Sequence, residues 1–195
     1  MNWLKKILGK PAPKIETTGL NSVEAVIQFY RSLGLFGAVQ DEHVIQQFTQ
    51  SHGRQPNPSD VWDHVFLLAY AQGDAWADDP EADVCAENQV YREVIGEWAT
   101  VSKGSFDPTS IKEDWETDTG PIQVSFDLGG RPARISPAYQ NDWIDLKVLQ
   151  QINALIATSG RQFECAADVN FAVVLCLTSE QKQKMHLERS FPFMW

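Results

Sequence analysis

The chain predicts an α+β fold: a helical N-terminal half packed beside an antiparallel sheet of about five strands covered by two helices. Three observations point there. From Val23 to Trp98 the apolar residues recur at helical spacing. From Ile122 onward they alternate with period two, between clusters of turn residues. Between the two regimes lies Ser102–Ser110, whose Gly104 and Pro108 read as a hinge between halves.

The helical elements follow in order. Asn21 is placed to cap a first helix carrying Val23, Val26, Ile27, Tyr30 and Leu33, with Glu24 in its first turn and Gly34 as the stop. A second helix starts at Asp41 and carries Val44, Ile45 and Phe48 as far as Gly53. Pro56-Asn-Pro58 interrupts the chain. Ser59 then caps a third helix with Trp62, Phe66, Ala69 and Tyr70 inward and Gly73 at its end. Asp79-Pro80, an N-cap residue followed by proline at the first helical position, opens a fourth helix that runs to about Trp98.

The second half begins with a strand near Ile111–Glu116. The next strand shows Ile122, Val124, Phe126 and Leu128 to one side, and Gly129-Gly130 turns it into a third around Ala133 and Ile135. Asp142 is placed to cap a helix burying Trp143, Leu146, Leu149, Ile152 and Ile156. A hairpin of Gln162–Ala167 and Phe171–Leu177 turns at Asp168-Val-Asn170, and the second of these runs, apolar on both faces, reads as a central strand. Thr178-x-x-Gln181 is a capping box for the last helix. Three segments result: a basic segment and linker over 1–20, an acidic helical subdomain over 21–101 and an α+β subdomain over 109–195, the last two forming one compact unit. The first segment suits either two turns of helix packed on the protein or a short amphipathic helix on a membrane surface.

Charge is the most uneven property of the chain. Asp41–Glu97 holds twelve acids against Arg54 and Arg92, a net −10. The remainder balances fourteen acids with fourteen bases, so this stretch carries the entire formal charge. Such a field repels nucleic acid and anionic membrane and attracts a basic protein partner. No apolar run is long enough for an integral membrane span. Three cysteines, an odd count without paired spacing, suit free thiols in a cytoplasmic protein.

No motif of catalysis or cofactor binding stands out. Asp79-x-Glu81-x-Asp83 starts like a calcium loop, but the sixth position is Val84 and the twelfth Val90, where glycine and glutamate are needed. Cys85 and His64 suggest a thiol nucleophile and base, but Asp83 and Glu87 beside Cys85 raise rather than lower a thiol pKa. No metal, cofactor or catalytic residue is therefore assigned. The candidate partner-binding residues are Asp74, Trp76, Asp78, Asp79, Glu81, Asp83 and Glu87, an aromatic ringed by acids between two predicted helices. Trp76 is equally suited to folding back on the core. The apolar terminus Phe191–Trp195 should either dock on the sheet or form a homo-oligomer contact.

The layout of Ile122–Trp195, the segment Asp142-Trp-Ile-Asp-Leu146 opening a helix after a hairpin, and the acidic, motif-free character of the whole are similar to one class of proteins. They resemble the small α+β immunity proteins that bacteria encode beside polymorphic or contact-dependent toxins. The resemblance covers the last third to half of the chain and transfers no site residue. It implies a cytoplasmic, non-enzymatic inhibitor presenting acidic surface to a basic toxin domain, commonly a nuclease. The alternatives are a hydrolase with a site built from dispersed carboxylates and His64, or a structural or regulatory subunit of a larger assembly.

Overall fold

One strand, buried on both faces, divides the molecule into two cores. The computed structural model describes residues 22–195; the predicted Asn21 cap and the N-terminal segment lie outside them. The order is α1 (Val23–Ser32), α2 (Asp41–His52), α3 (Val61–Leu68), β1 (Ala75–Asp78), α4 (Val90–Val101), β2 (Pro108–Trp115), β3 (Ile122–Leu128), β4 (Arg131–Ile135), α5 (Val148–Leu155), β5 (Arg161–Ala167), β6 (Ala172–Thr178) and α6 (Ser179–Arg189). The strands form two antiparallel sheets, ordered β1-β6-β5 and β2-β3-β4.

The dividing strand is β6. Val173, Leu175 and Leu177 face a core filled from α1, α2, α3 and α6 by Ile27, Tyr30, Phe48, Leu68 and Met185. Ala172, Val174 and Cys176 face a second core filled by Trp98, Phe106, Phe126, Ile152 and Phe163. A strand wet on neither face reads as a continuous apolar run, which is how Phe171–Leu177 stands out in the sequence. The β2-β3-β4 meander covers the second core from outside, with only its inner face buried.

Several expected signals appear where the sequence places them. Gly53 ends α2 in the left-handed region, at φ 66°. Gly129 and Gly130, at φ 58° and 75°, join β3 to β4. Thr178 and Gln181 cap α6 reciprocally. The three cysteines are free.

Elsewhere tertiary contacts override local signals. Instead of one sheet of about five strands under two helices, there are two sheets of three. The unforeseen strand is β1, four residues long and paired with β6 in the register Ala75 opposite Leu175. The fourth helix starts not at Asp79 but at Val90. Residues 80–82 pair instead with 142–144, through Ala82 N–H to the Asp142 carbonyl and Ile144 N–H to the Pro80 carbonyl, both at 2.8 Å. Asp83 and Gln89 then take positive φ, which a helix cannot accommodate. The cap of α4 comes from a distant strand: the buried Glu113 carboxylate on β2 accepts from Arg92 N–H at 3.0 Å.

A similar substitution delays α5, which begins at Val148 rather than at Asp142. Asp145 is buried and accepts from the N–H groups of Ala138 (2.9 Å) and Lys147 (3.1 Å), so it organises the preceding loop. Its own N–H donates to the Tyr91 hydroxyl at 2.8 Å. In α3 the cap is Asp60, one residue after the expected Ser59, and the helix stops at Leu68, short of Gly73. Its buried face is Asp63, His64, Val65, Leu67 and Leu68; Trp62, Phe66, Ala69 and Tyr70 are only half-buried. The segment read as a hinge begins as a tight turn, in which Ser102 Oγ bonds both the N–H and the carbonyl of the fully buried Phe106, and from Pro108 it runs into β2. The apolar terminus docks: Phe191 is buried, Met194 N–H donates to the Cys165 carbonyl of β5 at 2.9 Å, and Lys182 holds the Trp195 carbonyl at 3.1 Å.

Candidate partner-binding surface

The seven residues singled out from the sequence separate into a buried pair and an exposed row. Asp74 is buried and forms an ion pair with Lys103, joining the turn after α3 to the end of α4. Trp76 is only 8% exposed. It lies on β1, edge-on to Trp98 with ring centroids 5.9 Å apart, and its Nε1–H donates to Glu97 at 2.7 Å. These two are core residues, so the expectation that Trp76 anchors a partner is corrected. The β1–β6 pairing turns its ring inward.

Asp78, Asp79, Glu81, Asp83 and Glu87 are all exposed, and among the described residues none forms an ion pair. The row begins with two local clasps. Asp78 accepts from Asp79 N–H at 2.8 Å, and Asp79 accepts from Glu81 N–H at 2.9 Å, an Asx turn that suits an irregular strand rather than a helix. Beyond them exposed Asp79 and Glu81 alternate with buried Pro80 and half-buried Ala82, the pattern of an extended segment lying on the core, which ends where Asp83 takes positive φ.

The partner of that extended segment supplies the aromatic that Trp76 does not. Glu81 bridges to Trp143. Trp143, Pro80, Leu146, Ala167, Asp168 and Met194 line a cleft of about 220 Å³, with Lys147 the base among its walls. Met194 is 47% exposed, and Val169, next to Asp168 on the β5–β6 turn, is 70% exposed. The acidic row and an apolar cleft thus share one stretch of surface, with exposed Asp142 beside Trp143. The sequence hides this site because Trp143 occupies a position of a convincing helical stripe.

The remaining candidate chemistry is absorbed by the fold. His64 is buried, with Nε2 2.9 Å from the Pro58 carbonyl and Nδ1 3.3 Å from the Tyr30 hydroxyl. The tautomer with hydrogen on Nε2 satisfies both contacts and leaves neither nitrogen for a substrate. Burial pushes its pKa down, against the opposing Pro58 carbonyl, and so favours the neutral ring. Asp63 accepts both guanidinium arms of Arg54 (2.6 and 2.5 Å) and Asn57 N–H at 2.6 Å. Asp63, Asp74, Glu113, Asp145 and Glu164 are all buried clamps holding loops, helix ends or strands. Burial also pushes the Cys165 and Cys176 thiols up, to about 12 and about 11, so neither is a ready thiolate. Among the described residues no group of three or more His, Cys, Asp or Glu side chains is arranged to hold a metal, and no helix is long and apolar enough to cross a membrane.

Comparison of the chain with known protein families, with characterised proteins and with solved structures finds no match.

Proposed function

We propose that this protein is a non-enzymatic protein-binding module, an immunity-type inhibitor that docks a basic toxin domain. The reading rests on one observation: five exposed acids, none in an ion pair among the described residues, lie between Asp78 and Glu87, and the extended part of that stretch pairs with the segment that carries Trp143 into an apolar cleft. An aromatic anchor in a cleft with an acidic rim suits a cationic partner with an apolar contact at its centre. The rim steers association, and the anchor sets how long the complex lasts.

The test uses the product of the adjacent reading frame. If that product is a basic toxin, this protein should bind it and suppress its activity. Association should slow sharply as salt rises, because at physiological ionic strength the acids are screened over about 8 Å. Charge reversal at Glu81 and Asp83 together should slow association with the fold unchanged. Trp143→Ala should speed dissociation, with a loss of about 2 kcal/mol or more in binding. A complex indifferent to salt, to the reversals and to Trp143 would remove this surface from consideration.

A further inference from the structure

The meander carries a second concavity, remote in chemistry from the acidic row. Its inner face, through Ile122, Val124, Phe126 and Ile135, is buried. On the outer face Lys112 lies directly opposite Ser125, and Ser125 directly opposite Arg134, so a cation, a hydroxyl and a cation form one row across three strands. On this face lies an open concavity of about 500 Å³, with Ser110, Lys112, Ser125, Asp127, Pro132 and Arg134 among its lining residues.

Two features set this cleft apart from an ordinary solvated face. Asp114 and Asp127 also belong to the outer face, yet among the described residues neither Lys112 nor Arg134 forms an ion pair. The edge of the cleft is also strained. The β2–β3 register shifts between Thr109 and Lys112, and within that bulge Ser110 is held at φ 56°, in the left-handed region that a serine adopts only at a cost in backbone energy. Bulges of this kind redirect a side chain, and here the redirected residue brings a second hydroxyl to the wall of the cleft.

We propose that this cleft binds a phosphoryl group, held by Lys112 and Arg134 on either side of Ser125 with Ser110 at the rim. A tetrahedral dianion suits the set: guanidinium and ammonium supply charge-assisted donors from opposite strands, and the hydroxyls supply the rest. Asp127 accepts but cannot donate when ionised, so it has no use for the phosphoryl oxygens. It would meet an amine at the other end of a small phosphate ester. Free phosphate and an amine-bearing ester share the phosphoryl chemistry, and Asp127 tells them apart.

The experiment is amide NMR titration of the full chain at constant ionic strength, with inorganic phosphate, phosphoethanolamine and, as control, sodium chloride. Saturable shifts on β2, β3 and β4 around Ser110, Lys112, Ser125 and Arg134 are expected from both phosphates and not from chloride. Arg134→Gln should weaken them by about tenfold or more, as loss of a charge-assisted contact does. Tighter binding of phosphoethanolamine, abolished by Asp127→Asn, would identify the amine-bearing ester; equal affinities would identify free phosphate. Ser110→Gly, which relieves the backbone while removing a hydroxyl, should raise Tm and weaken binding together. Shifts equally produced by chloride, no saturation, or binding unchanged in a folded Lys112→Gln/Arg134→Gln variant would overturn the proposal.

Discussion

Both sheets have three antiparallel strands, but they meet water in opposite ways. In β1-β6-β5 the central strand is dry on both sides and belongs to two cores at once. In β2-β3-β4 the central strand alternates: Ile122, Val124 and Phe126 are buried, while Gln123 and Ser125 are half-buried and Asp127 is exposed. The difference shows where a sheet's constraints lie. A two-faced strand leaves no position free for function, since any polar change meets a core. A one-faced strand separates folding from chemistry residue by residue, and the outer face is available for the charged row described above.

The comparison can be broken at its strongest point first. Phe163→Ala, on β5 inside the second core, should cost about 3–5 kcal/mol in chemical denaturation. A cost under about 1 kcal/mol would mean that the buried sheet is not the common wall of the two cores.

Next come two buried carboxylates whose pH behaviour should have opposite signs. Burial pushes Asp63 up, but the Arg54 guanidinium and Asn57 N–H outweigh it and hold the carboxyl below its usual range. Its contribution is present above the unfolded pKa and is lost as pH falls through the folded one. Asp63→Asn should therefore cost about 1–3 kcal/mol at neutral pH and lessen the acid sensitivity. Burial pushes Glu164 up, and Lys182 and Gln162 offset this only in part. The folded state thus holds its proton to higher pH than the unfolded chain, and stability falls as pH rises from the ordinary carboxylate range through the folded pKa. Glu164→Gln should flatten that fall. Stability curves against pH for the two variants bending the same way would contradict the assignment.

Smaller effects sharpen the contrast. Gly130→Ala, in the turn at φ 75°, should cost about 1 kcal/mol by straining the β3–β4 hairpin. Asp114→Ser, on the open face, should stay within about 0.5 kcal/mol of the parent. A larger loss there would mean that the outer face is not free of folding duties.

The same contrast explains what the sequence could disclose. The meander was legible because one wet face imposes a period of two, and Gly129-Gly130 marks its turn. β6 was legible as an uninterrupted apolar run. β1 was not, since Ala75-Trp-Ala-Asp78 is too short to show a period and its pairing partner lies in the last quarter of the chain. Asp79-Pro80 and Asp142 carry good helix-start chemistry, but residues 80–82 and 142–144 pair with each other instead. That pairing moved both helix starts downstream and hid the candidate surface. Of the seven acidic-zone residues, the five exposed carboxylates were legible from charge. The inward turn of Trp76 and the place of Trp143 in the cleft were not, because both depend on backbone pairing rather than on neighbours in sequence.

The β1–β6 register also governs the order in which the chain can mature. Ala75 waits for Leu175, so the apolar faces of α1, α2 and α3 lack their sheet wall until β6 has been synthesised. The helices are made before the strand that completes their core. A nascent chain halted after the meander would hold a finished hairpin turn beside helices still exposing Val26, Ile27, Phe48 and Leu68, a species that chaperones would recognise and the finished protein would not resemble.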